Sequence, residues 1–130
     1  MANECLIGID IGTTGAKVLA LDQSGAIIQS AVSEYPIYRP QIGWTEQDPE
    51  DWWQATVKAL NDVVPACGDR KIAAVGLSGQ MHGMVALDNQ MQVIRRAILW
   101  NDQRTEKQCQ ELTELAGGKE ALLSMTNNLM

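Results

Sequence analysis

Along residues 5–32 the apolar side chains come in short runs separated by glycine, threonine, aspartate and serine. Residues 5–9 and 18–21 are continuous enough for buried strands, and residues 27–32 mark a third. The turn Asp22-Gln23-Ser24-Gly25 joins the second to the third, because aspartate and serine close local turns and glycine accepts a left-handed backbone. Three strands joined this way form an antiparallel meander. Residues 34–47, with Pro36, Pro40 and Gly43, read as a loop. Asp48 is then placed as a helix N-cap, with Pro49 at the first helical position and Asp51 at the third. Trp53, Val57, Leu60 and Val64 recur at helical spacing and predict its apolar face, and Pro65 and Gly68 predict its end.

Residues 72–78 predict a buried strand, parallel to the first because a helix intervenes. Residues 85–87 and 93–99 predict a shorter pair around the turn Asp88-Asn89-Gln90. Asn101 or Asp102 can cap a second helix that turns Cys109, Leu112, Leu115 and Ala116 inward and stops at Gly117-Gly118. No internal repeat, low-complexity tract or linker interrupts the chain, so residues 1–130 are expected to form one domain. The order of elements fits an α/β fold of the ribonuclease-H-like kind: an antiparallel three-strand meander plus parallel strands with helices. Such a fold ordinarily continues with a further strand and helix, so the domain is expected to be incomplete and part of a longer protein.

Composition narrows the partners. With 45% apolar and 20% charged residues the chain has the balance of a globular protein, and its net charge of −6 argues against nucleic acid or an anionic membrane. No signal peptide or long apolar run stands out, and Cys5, Cys67 and Cys109 lack metal-ligand spacing, so reduced thiols in a cytoplasmic protein are expected.

The chemistry concentrates where the first two strands meet. Gly8-Ile9-Asp10-Ile11-Gly12-Thr13-Thr14-Gly15-Ala16-Lys17 sets a carboxylate, two hydroxyls and glycines at a hairpin tip. Gly12 and Gly15 there permit positive φ and close backbone approach. Backbone N–H groups and the Thr13 and Thr14 hydroxyls can converge on phosphate oxygens, while Asp10 at the strand end can hold a hydrated Mg²⁺. An ordinary hairpin, with these residues serving only turn geometry, is the alternative. A Walker A loop does not fit, because Ala16 separates Gly15 from Lys17, and the glycine spacing is also wrong for a dinucleotide fingerprint. A second cluster, Ser78-Gly79-Gln80-Met81-His82-Gly83, follows the fourth strand directly. Ligands of open α/β sheets gather beyond the carboxyl ends of strands. His82 offers a donor and an acceptor there, and Met81 an adaptable apolar contact. Trp100 could wall the carbon face of a sugar or simply pack in the core. Asp102 and Arg104 read as a helix cap and a surface pair, and Trp44, Trp52 and Trp53 as core or loop anchors.

The segment Asp10-Ile11-Gly12-Thr13-Thr14-Gly15 resembles the first phosphate motif of the actin, heat-shock-70 and sugar-kinase ATPases. Together with residues 43–53, 79–83 and 98–104, it resembles the N-terminal domain of FGGY-family carbohydrate kinases, most closely the members that phosphorylate xylulose. The likeness runs from about Leu6 to Met130. It implies ATP with Mg²⁺ as cofactors and D-xylulose as the sugar partner. It implies Asp10 at the metal and in catalysis, Gly12, Thr13, Thr14, Gly15 and Lys17 at the phosphates, and Met81, His82 and Trp100 at the sugar. Gly83 after Met81-His82 favours a ketopentose over gluconate; gluconate, L-xylulose, ribulose and a non-catalytic sugar- or nucleotide-binding role are the alternatives. The family's catalytic base, an aspartate in a Gly-rich Asp-Asn motif, has no match here, so these residues alone are expected to turn over little or no ATP. The oligomeric state is open, a homodimer being one option.

Overall fold

The structure, a computed structural model, describes residues 3–129; residues 1, 2 and 130 of the expected domain lie outside the described residues. Strands β1 (Glu4–Ile11), β2 (Gly15–Asp22) and β3 (Ile27–Glu34) form the expected antiparallel meander. At the β2–β3 turn the Asp22 carboxylate accepts hydrogen bonds from the Ser24 and Ala26 amides and the Ser24 hydroxyl, with Gly25 at φ +85°. These bonds, the Ser24 hydroxyl first, hold the Asp22 carboxyl below its usual value. A later strand, β5 (Lys71–Gly79), runs parallel to β1 and gives a sheet of order β3-β2-β1-β5. This is the ribonuclease-H-like α/β arrangement.

Helix α1 (Pro49–Val63) crosses one face of this sheet. Its N-cap is Asp48, whose carboxylate accepts the Glu50 amide, an interaction of about 1 kcal/mol. Strand alternation turns Cys5 and Ile7 of β1 and Ala16, Val18 and Ala20 of β2 toward the helix, where they are buried. The helix answers with Ala55, Ala59 and Val63 at i, i+4 and i+8. The expected face of Trp53, Val57, Leu60 and Val64 is met in part: Leu60 packs against the core, but Trp53 is 61% exposed and Val64 also lies outside it. Ala55, Ala59, Leu60 and Val63 fill the space over the sheet, and the bulkier Trp53 indole is turned to solvent. A 3-10 turn at Val64–Cys67 and Gly68 at φ +58° end the helix as Pro65 and Gly68 predict. Cys67 and Cys5 meet in the core, and Cys109 is partly exposed; all three are free thiols.

The apolar run of β5 forms a strand, but not a buried one. It is the sheet edge, and Leu77 is 72% exposed because α1 packs over β2 and β3 instead. The loop of residues 34–47 closes in a short strand β4 (Glu46–Gln47), paired antiparallel with β6 (Ala97–Ile98). The expected antiparallel pairing around Asp88 is present as isolated bridges, Leu87 with Val93 and Met84 with Ile98, and as the Ile94 amide donating to the Ala86 carbonyl. Helix α2 (Glu106–Leu115) is capped by neither Asn101 nor Asp102, since Thr105 occupies the N-cap position and the Asp102 carboxylate is engaged elsewhere. None of its residues is buried, and the expected inward residues Leu112 and Leu115 are exposed. The glycines Gly117 and Gly118 stop it at φ +91° and +98°, and α3 (Lys119–Thr126), absent from the sequence expectation, follows. Among the described residues no helix is long and apolar enough to cross a membrane.

The two candidate faces of α1 make opposite demands on substitution. Ala59→Leu overpacks the helix–sheet contact and should lower unfolding free energy by about 1–3 kcal/mol. Trp53→Gln should change it by less than about 0.5 kcal/mol in the same urea titration.

Candidate functional site

Strands β1 and β2 end at a turn over Gly12, Thr13 and Thr14, closed by the Gly12 amide donating to the Gly15 carbonyl at 3.0 Å. Neither Gly12 nor Gly15 occupies the left-handed region, so the expected need for positive φ is not met here. What Gly15 supplies is clearance: a Cβ there would stand 2.8 Å from the Ser33 carbonyl oxygen of β3. Among the described residues, the amides and hydroxyls of Thr13 and Thr14 have no hydrogen-bond donor role inside the protein. They form a cluster of unspent donors at the hairpin tip.

Asp10 lies at the exposed end of β1, opposite Lys17 in the β1–β2 register. Its Oδ1 accepts the Ser78 hydroxyl at 2.6 Å, so β5 orients the carboxylate while Oδ2 stays available. Asp10, Lys17, Leu77 and Ser78 line one shallow recess. Among the described residues no three His, Cys, Asp or Glu side chains gather into a metal cage. That donor set suits Mg²⁺, which keeps several waters and takes one or two carboxylates together with phosphate oxygens. The residues present therefore fit a magnesium–nucleotide group. Behind the turn, the Tyr35 hydroxyl donates to the Gly12 carbonyl. Burial first, and the Asp10 charge second, push its pKa up to about 12, so it remains a neutral donor.

A second cleft, of about 450 Å³, opens beside this recess and shares Leu77 and Ser78 with it. Ile11, Gly79, Gln80, His82 and Leu99 complete much of its wall. His82 has φ +60°, a left-handed conformation costly for a non-glycine residue and concentrated at functional sites. Met81 and Trp100 are 70% and 57% exposed and lie outside the cleft lining, so His82 alone of the expected sugar residues is gathered there.

Two groups of residues escaped sequence reasoning. The first centres on Gln47, fully buried in β4. Its Nε2 donates to the Thr13 carbonyl at 2.7 Å and the Pro36 carbonyl at 3.5 Å; its Oε1 accepts from Trp52 Nε1 at 3.0 Å and Gln80 Nε2 at 2.9 Å. The second is a charged cluster. Arg104 donates to both Asp102 oxygens and to Glu46, Arg95 donates to the same Glu46 oxygen, and the Thr45 amide donates to Asp102. The Arg104 guanidinium also lies 3.8 Å from the Trp44 ring centroid, so Trp44 anchors a loop as expected. Asp102 and Arg104 are thus a buried pair and not the expected surface pair, the Asp102 side chain being 2% exposed. Alternation in a two-residue strand and a salt bridge spanning distant segments leave no periodic trace, which is why neither group was visible.

The comparisons with known proteins converge. The model of the FGGY family of carbohydrate kinases, N-terminal domain, matches residues 5–130. The chain is 42% identical over 125 residues to the xylulose kinase of Bacillus subtilis (strain 168), covering 95% of this chain and 25% of that protein. It is 44% identical over 103 residues to the xylulose kinase of Escherichia coli (strain K12), covering 79% and 21%. The crystal structure of a xyloylose kinase from Brucella ovis matches with a TM-score of 0.83 at 35% identity, covering 97% of this chain and 26% of that one. The chain therefore spans about a quarter of the length of these relatives.

Asp102 provides a pH test of the charged cluster. Its hydrogen bonds from Arg104, foremost among the causes, lower its pKa from 3.8 to about 2. A depressed folded-state pKa contributes stability above the unfolded value that disappears as pH falls through the folded one. The wild type should lose unfolding free energy between about pH 4 and pH 2 in urea titrations. Asp102→Asn should be less stable at pH 7 and show a shallower decline across that window.

Proposed function

This chain belongs to the FGGY family of carbohydrate kinases, and we propose that it supplies the phosphate hairpin and the sugar loop of an ATP-dependent sugar kinase. The reading takes residues 1–130 as the N-terminal part of that kinase, with D-xylulose as the sugar and D-xylulose 5-phosphate as the product. The observation that carries it is the adjacency of two unlike subsites. An oriented carboxylate with unspent threonine donors adjoins, across Leu77 and Ser78, a cleft containing the strained His82.

Phosphoryl transfer depends on holding the phosphoryl group in line with the attacking hydroxyl and neutralising the charge that develops on its oxygens. Bound magnesium would supply that neutralisation as a Lewis acid. Asp10 would hold the hydrated metal through Oδ2, its other oxygen being fixed by Ser78. The Thr13 and Thr14 amides and hydroxyls would donate to phosphate oxygens, with Gly12 and Gly15 closing the turn that presents them, and Lys17 would add positive charge from the neighbouring strand. His82 would orient the sugar by hydrogen bonding. Met81 and Trp100, both exposed, would close on the sugar only when further surface is brought against them. The choice of xylulose is supported by Gly83 after Met81-His82 and by the xylulose kinases among the relatives.

The test uses the intact protein with D-xylulose, L-xylulose, ribulose, glycerol and gluconate, read by thermal shift and by ATP-dependent phosphorylation. D-xylulose should give the largest kcat/KM. His82→Ala should raise the sugar KM about tenfold or more while leaving the ATP KM within about twofold. Asp10→Asn should lower kcat at least about a hundredfold with little effect on sugar binding. Residues 1–130 alone should show no measurable turnover; phosphorylation of xylulose by that segment would overturn the expectation that the base lies elsewhere.

A further inference from the structure

Gln47 touches neither the recess at Asp10 nor the cleft at His82, yet its side chain is bonded to the segment that builds each. The orientation of its amide is determined by chemistry. An indole N–H can only donate, so the oxygen of Gln47 must face Trp52, and Nε2 must face the carbonyls of Thr13 and Pro36. With that oxygen also opposite Gln80, Gln80 must present its own Nε2, which leaves Gln80 Oε1 buried and without a partner. Turning the Gln80 amide over would satisfy nothing and would set two oxygens against each other. The arrangement thus keeps an orphaned acceptor in order to preserve one bond between the hairpin network and the loop that leads directly into Met81-His82.

We propose that Gln47 is a positioning residue that couples occupancy of the phosphate hairpin to the sugar loop through Gln80. A displacement of Thr13 toward bound phosphate pulls on a 2.7 Å bond to a fully buried side chain. Gln47 passes that displacement to Gln80, whose unpartnered oxygen resists the shift least, and so to the strained backbone at His82. The inference rests on the assignment of residues 10–17 to nucleotide and residues 78–83 to sugar.

The experiment measures, in the intact protein, the affinity of the sugar that the wild type phosphorylates best, by calorimetry, with and without saturating Mg·ADP. Nucleotide should tighten sugar binding about tenfold in the wild type, a usual size for coupling between sites. The factor should fall below about twofold in Gln47→Met and in Gln80→Met, and the double variant should fall no further, as members of one chain of contacts behave. Gln47→Met strands the Thr13 carbonyl and the Trp52 N–H and can misfold. Gln80→Met loses a single bond and removes the orphaned oxygen, so it carries the test by itself. A Gln80→Met protein that keeps the full factor overturns the coupling, whatever its melting temperature, and so does an active wild type in which Mg·ADP leaves sugar affinity unchanged. A wild type that phosphorylates no sugar of the panel overturns the functional reading, and the coupling with it.

Discussion

A glutamine side chain shut away from water has two donor hydrogens and two acceptor lone pairs to place, and Gln47 places all of them within the domain. Its neighbours come from four segments: the hairpin tip, the loop after β3, the start of α1 and the loop after β5. Moving any one leaves a buried polar atom unpaired, which typically costs about 1–3 kcal/mol. Gln47 therefore adds a side-chain tie between the hairpin tip and the loop after β5, beside the backbone bond from the Gln80 amide to the Ile11 carbonyl at 2.8 Å. The position next to Asp48 strengthens the constraint, because the helix start is pinned by the cap one residue later.

The charged cluster acts on the same short strand from its other side. Glu46 precedes Gln47 and receives Arg104 and Arg95, while Asp102 takes the Thr45 amide. Ion pairs buried to this degree contribute less to net stability than their geometry suggests, because desolvation offsets much of the attraction. Breaking one leaves an uncompensated charge, however, so the cluster restricts β4 to one register against β6. Arg104 stacked on Trp44 ties the turn at Gly43, at φ +77°, into the same lock.

Much of the frame was legible in the chain. The meander, the Asp48-capped helix, the parallel fourth strand and the hairpin between Ile11 and Gly15 follow from period, turn chemistry and capping, which are local signals. What failed was anything decided by who covers whom. Trp53, Val57, Leu60 and Val64 satisfy helical periodicity as well as Ala55, Ala59 and Val63 do; Leu60 does reach the core, and only packing on β2 and β3 turns Trp53 and Val64 outward. The apolar run of β5 looks buried because composition cannot tell a covered strand from an uncovered one. Of the site, Asp10, the threonines and His82 were readable as chemistry-bearing residues in strand-end loops. Gln47 and Tyr35 were not, since a glutamine and a tyrosine in a loop are unremarked until their long-range partners are known.

The two core thiols add a different property. Cys67 sits in a tight apolar setting beside Cys5, and burial, reinforced by the hydrogen bond to Cys5, pushes its pKa upward, away from the thiolate form that alkylating reagents attack. Both sulfurs lie under the α1 packing layer, whereas Cys109 is partly reachable from outside. Reagent uptake by the chain is accordingly biphasic in principle: one rapid equivalent from the surface, then a slow pair whose rate counts how often the helix lifts from the sheet. The native cysteines thus form an intrinsic clock for opening events, with no label or engineered probe required.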